Sequence, residues 1–106
     1  MVTDFETVKQ LAQSYASDVK EAFPVDKVVL FGSHAKGIAT EQSDIDICFF
    51  LSSFGEKRRV DVIKDLLGLM RKYRGVYFEP VVFEAAEIQN DNPFVKEILR
   101  TGVEVN

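Results

Sequence analysis

The sequence predicts an α/β (α+β) domain, with a central sheet of three to four strands flanked by helices, and three observations carry that expectation. Apolar residues recur at three-and-four spacing over long stretches near residues 5–22 and 60–70, the period of helices with one buried face. Short β-branched and aromatic runs separate these stretches, bounded by glycine, proline and serine. One of those runs, Ser43 to Phe50, resumes a period-two pattern and carries two aspartates on one side.

In chain order, Thr3 and Glu6 have the spacing of a capping box. Phe5, Val8, Leu11, Ala12, Tyr15, Ala16, Val19 and Ala22 then mark a first helix that Pro24 stops. Lys27 to Phe31 reads as a strand that is apolar on both faces and therefore central. Gly32 and Gly37 bracket a tight polar segment. The next strand places Asp44, Asp46, Cys48 and Phe50 on one face and Ile45, Ile47 and Phe49 on the other.

Ser52 to Gly55 is a turn, and Val60, Ile63, Leu66, Leu67 and Met70 mark a second long helix that closes near Arg74-Gly75. Val76 to Glu84 reads as a third strand, interrupted by Pro80. Proline has no amide hydrogen for a ladder, so this strand belongs at the sheet edge. A short helix follows Pro93, with Phe94, Val95, Ile98 and Leu99 as its apolar residues, and Val103 with Val105 can add a terminal strand.

A length of 106 residues fits one domain, residues 1–106, large enough to bury roughly two-thirds of its unfolded surface. The single cysteine, Cys48, has no disulfide partner within the chain, no apolar run reaches membrane length, and no cleavable leader is expected. A cytoplasmic setting with no membrane contact is expected. The net charge of −4 argues against broad nucleic-acid binding, which depends on cationic surface. One cysteine and one histidine exclude a Cys/His zinc site, and Ile38-Ala39 stands where a P-loop needs Lys-Ser/Thr.

The segment from Gly32 to Asp46 carries the candidate chemistry. A strand that ends in Gly-Ser and turns into a helix presents free amides to a phosphate; Gly32 permits close backbone approach and the Ser33 hydroxyl adds a donor. Asp44 and Asp46 lie on one side of a strand with backbones roughly 7 Å apart. At that distance two unit charges repel by roughly 2 to 3 kcal/mol at an effective dielectric of about 20. Two Mg²⁺ ions, or Mn²⁺, bridging to a triphosphate would remove that penalty. One would acidify an attacking hydroxyl and the other would steady the leaving pyrophosphate. Taken singly, alternating acids are solvated strand residues and Gly-Ser is a turn; the combination is what points to function.

Gly32-Ser33, ten intervening residues and Asp44-Ile-Asp46 resemble the DNA polymerase beta-like nucleotidyltransferase superfamily. Within it the chain is similar to the minimal nucleotidyltransferase (MNT) antitoxins that accompany HEPN toxins. The likeness covers nearly the whole chain, through to the Asn92-Pro-Phe94 helix. It implies a small nucleotidyltransferase fold with a mixed sheet, and a third metal-binding carboxylate on the third strand, where Glu79 replaces the usual aspartate. Glu84 and Glu87 are the fallback positions. The resemblance also implies a phosphate contact for Lys36, while Ser43 reads as tying the loop before Asp44. His34 reads as incidental to the site.

Three functions follow as expectations. The first is transfer of a nucleoside monophosphate, AMP from ATP, to a tyrosine of a HEPN-type toxin, which would make the chain an antitoxin. Because the chain adds no acceptor-binding domain, that surface would come from a partner or a second subunit. The second is a non-catalytic binding module that neutralises a partner by contact. The third, transfer to a small molecule or nucleic-acid end, has the acidic balance against it. Lys57-Arg58-Arg59 and Arg71-Lys72-Arg74 read as solvated faces of the long helix, the first leaving an acidic partner open.

Overall fold

A computed structural model describes residues 4–40 and 43–105. Helix α1 (Phe5–Ala22) leads into strand β1 (Val25–Phe31), the short helix α2 (Gly32–Lys36) and strand β2 (Ile45–Leu51). Helix α3 (Arg59–Leu69) continues into a 3-10 turn (Met70–Lys72), then comes strand β3 (Phe78–Glu84) and a second 3-10 turn (Ala85–Ile88). Helix α4 (Pro93–Thr101) and strand β4 (Val103–Val105) complete it.

The four strands form one mixed sheet in the order β3-β2-β1-β4. β1 pairs antiparallel with β2 and β4, and β2 pairs parallel with β3. The central place of β1, the edge place of β3 and the terminal strand all agree with the sequence reading. Pro80 does not break β3, however. It stands in register with Ile47, and the strand runs through it, since an edge strand leaves half of its backbone groups outside any ladder.

Period-two alternation divides the core into two layers. Ile45, Ile47, Phe49 and Leu51 face one side, where Val8, Ala12, Tyr15, Ala16 and Val19 of α1 pack with Val62 and Leu66 of α3. Cys48 and Phe50 face the other side with Val29 and Phe83, covered by Val95 and Ile98 of α4. Tyr15 ties the first layer together: its ring stacks on Phe78, and its hydroxyl donates to the Leu66 carbonyl at 2.5 Å.

Several local expectations shift. Thr3 lies outside the described residues, and the cap of α1 is Asp4, whose carboxylate accepts from the Thr7 amide at 3.0 Å. β2 begins at Ile45, so Asp44 stands just before the strand, and β3 begins at Phe78. Val60 and Leu67 of α3 are exposed, because its buried stripe runs through Val62 and Leu66. The basic cluster at its start is absorbed by the chain's own acids: Lys57 pairs with Asp65, Arg58 with Asp61 and Arg59 with Glu87.

Candidate active site

The site forms at the end of the sheet where β1 turns into α2. β1 is held between β2 and β4 up to Leu30, and Phe31 beyond it stands in register with Asp46 of β2. The chain must then reverse sharply, and Gly32 does so at φ +74°, a left-handed conformation that side-chain-bearing residues rarely adopt. The same glycine makes room for its neighbour. A Cβ at position 32 would lie 2.1 Å from Oδ2 of Asp46, so the Asp46 carboxylate packs directly over the Gly32 backbone. Sequence reasoning gave Gly32 a phosphate to accommodate; what the structure sets against it is the Asp46 carboxylate.

Phe31 is the N-cap of α2 and offers no side-chain acceptor, so the first-turn amides of α2 have no side-chain cap. The helix ends at Gly37 in a left-handed cap. Ser33 is partly buried in its first turn; Lys36, in the last turn, is exposed and forms no ion pair among the described residues. Ser43 accepts a hydrogen bond from the Thr40 amide at 2.9 Å and donates its own amide to the Thr40 carbonyl at 3.1 Å. Its hydroxyl thus holds the approach to β2.

The carboxylates meet across the ladder. Asp46 stands in register with Glu79 of β3, and Asp44 precedes it by two residues. Asp46 is half-buried, while Asp44 and Glu79 are exposed. Burial first, then the charges of Glu79 and Asp44 and a hydrogen bond with Glu79, push the Asp46 carboxyl from 3.8 up to about 6, against a smaller opposing effect of His34. Glu79 is therefore the third acid that Asp46 senses most strongly. Glu84 lies at the far end of β3, opposite Leu51, and Glu87 is engaged with Arg59 and the Glu84 amide.

Among the described residues, no three His, Cys, Asp or Glu side chains are gathered tightly enough to form a metal cage as they stand. The donor chemistry nonetheless fits a hard divalent cation: three carboxyl groups supply oxygen ligands, and their mutual repulsion already burdens Asp46.

His34 is the feature that sequence reasoning undervalued. It is the buried polar residue of the described chain, 3% exposed, with Nε2 3.4 Å from the Ser43 carbonyl and its ring near enough to Asp46 to favour the carboxylate. The sequence carried no signal of this burial, since His34 stands there as one polar residue in a short segment bracketed by Gly32 and Gly37. Cys48, two residues beyond Asp46 on the same face, is fully buried, and burial pushes its thiol up to about 12, which suits a packing role.

A mixed four-stranded sheet flanked by helices is the architecture of a small nucleotidyltransferase-like fold. Residues 13–101 match the family model of the nucleotidyltransferase domain, and the chain belongs to that family. By homology its activity is nucleotidyl transfer in the broad sense. It is 29% identical over 110 residues to "Putative protein adenylyltransferase MJ1305" of Methanocaldococcus jannaschii, covering 96% of this chain and 73% of that protein. It is 27% identical to the like-named MJ0141 of the same organism, over 94% of this chain and 96% of that one. A 29% match to human Terminal uridylyltransferase 7 covers 92% of this chain but spans only 6% of that protein. The crystal structure of a "putative nucleotidyltransferase" from Sulfolobus solfataricus shares the fold, with a TM-score of 0.63 at 23% identity, over 94% of this chain and 80% of that one.

Proposed function

We propose that the chain transfers AMP from ATP to a tyrosine hydroxyl of a HEPN-type partner protein, and so acts as the antitoxin of a toxin-antitoxin pair. The observation that carries the reading is the Asp46 carboxyl, raised to about 6 over Gly32 and crowded by Glu79 and Asp44. A half-buried acid under that repulsion is poorly placed unless cations neutralise it. The likeness to MJ1305 and MJ0141, whose names specify protein adenylylation, supports a protein acceptor.

Asp44, Asp46 and Glu79 would hold Mg²⁺ or Mn²⁺, which when bound supplies charge neutralisation at the triphosphate and acidification of the acceptor hydroxyl. The protein's own part is placement. Gly32 and Ser33 present backbone amides and a hydroxyl to the phosphates, Lys36 adds an exposed positive charge, and Ser43 fixes the loop that delivers Asp44. His34, wedged against the Ser43 carbonyl, steadies that loop from beneath.

The test is transfer of label from α-labelled ATP to a co-expressed partner, with and without Mg²⁺, comparing the parent with Asp44→Asn. Label on the parent's partner that depends on Mg²⁺ and disappears with Asp44→Asn is the expected result. Equal transfer by the variant would overturn the reading, and a stable complex with no transfer by either protein would favour neutralisation by contact alone.

A further inference from the structure

The chain has three tyrosines, and the structure treats them differently. Tyr15 is fully buried with its hydroxyl bound to the Leu66 carbonyl. Tyr73 donates its hydroxyl to Asp18 at 2.6 Å, in a cluster that also holds Lys72. Tyr77 is 58% exposed, and its hydroxyl forms no hydrogen bond among the described residues.

Its position follows from the sheet register. Ile45 pairs with Phe78, and Asp46 with Glu79, in the parallel ladder, while the Ile45 amide donates to the Tyr77 carbonyl at 2.8 Å. Extending the ladder by one rung sets Tyr77 beside Asp44. Phe78 and Ile45 point into the α1/α3 layer, so the pleat turns Tyr77 toward the opposite face, which carries Asp46 and Glu79. Strand spacing puts the Tyr77 backbone about 5 Å from that of Asp44 and about 8 Å from that of Asp46, within reach of a tyrosine side chain.

We propose that Tyr77 is itself an acceptor, so that the chain nucleotidylylates its own phenol at the rim of the site. The inference rests on the nucleotidyl-transfer reading above and names a substrate for it. Tyr77 Oη attacks the α-phosphorus of the triphosphate and forms an Oη–P bond. The bond from that phosphorus to the α,β-bridging oxygen breaks, pyrophosphate leaves, and the phenolic proton passes to solvent. A nucleotide carried on Tyr77 would stand over the Asp44 end of the site and obstruct the next substrate. Self-modification would therefore slow the chain as it accumulates.

The experiment incubates the purified chain alone with Mg²⁺ and α-labelled ATP, then reads intact mass and maps the labelled peptide. A parallel arm supplies a tyrosine-containing peptide as external acceptor and measures pyrophosphate release. The expected result is one nucleotide per chain on Tyr77 and loss of that label in Tyr77→Phe, whose melting temperature shows that it folds. Label retained in Tyr77→Phe, or pyrophosphate released only with the external peptide while the chain stays unlabelled, would overturn self-modification and leave the transfer reading standing. No pyrophosphate in either arm would likewise overturn self-modification, and the co-expressed-partner assay above decides the transfer reading separately.

Discussion

Replacing Asp46 with asparagine gives a direct reading of the electrostatic state of the site. In the fold the Asp46 carboxyl titrates near 6, whereas its ordinary value is 3.8, because burial and the Glu79 and Asp44 charges disfavour the anion. The folded value is the raised one. Asp46 therefore favours the folded state fully below about pH 3.8, and that contribution is lost as pH rises through about 6. For an enclosed group the gap would be about 3 kcal/mol. Asp46 is half open to water, and screening reduces this to on the order of 1 kcal/mol. Asp46→Asn removes the charge at nearly constant shape. In the presence of a chelator at pH 8 it should melt above the parent by roughly 5 °C, the shift that about 1 kcal/mol produces in a domain of this size. The advantage should shrink toward zero by about pH 4, near the ordinary carboxylate value. Millimolar Mg²⁺ should raise the parent's melting temperature at pH 8 and leave the variant nearly unmoved. A variant that melts at or below the parent at pH 8, with no dependence of the difference on pH, would refute this account of the site.

Gly32→Ala should lower stability by about 1–2 kcal/mol through its left-handed φ, and should also abolish transfer, because the new methyl displaces Asp46. Gly37→Ala shares the left-handed φ but meets nothing within 4 Å, so a melt should show the same order of destabilisation with transfer retained. Tyr15→Phe should cost about 1–2 kcal/mol in denaturant titrations, since the buried Leu66 carbonyl loses its hydroxyl donor. Asn92→Ala should cost about 1 kcal/mol, because the Asn92 side chain accepts from the Phe94 and Val95 amides at the start of α4.

The sequence was most legible where one period governs one element. β2 shows this: Ile45, Ile47 and Phe49 fill one layer, Cys48 and Phe50 the other, and Asp46 follows the same alternation to the α4 side. The edge place of β3 was readable from Pro80 alone. Legibility failed where neighbours in space override local pattern. Val60 and Leu67 fit a helical stripe on paper, yet α3 turns Val62 and Leu66 inward because α1 and the sheet meet it there. Thr3 and Glu6 had a good capping spacing, but Asp4 is the residue whose backbone leaves the helix at the right point. For the candidate site, spacing singled out the aspartates and the Gly-Ser turn, and the structure adds what spacing could not show, that the Asp46 carboxylate rests on Gly32 and that His34 is buried beside Ser43.

That contact between Gly32 and Asp46 links fold and site in one step. β1 and β2 are antiparallel, so the end of one meets the start of the other, and register alone brings Phe31 opposite Asp46. The parallel pairing of β2 with β3 then adds Glu79 on the far side of Asp46, a juxtaposition that an antiparallel β3 in another register would not give. A mixed sheet thus places the Gly32 turn and the Glu79 carboxyl on opposite flanks of one aspartate. A one-residue slip of β2 would turn Asp46 into the α1 layer and carry Ile45 or Ile47 to the site. The apolar residues that fix the register of β2 are, for that reason, also what aims its acid.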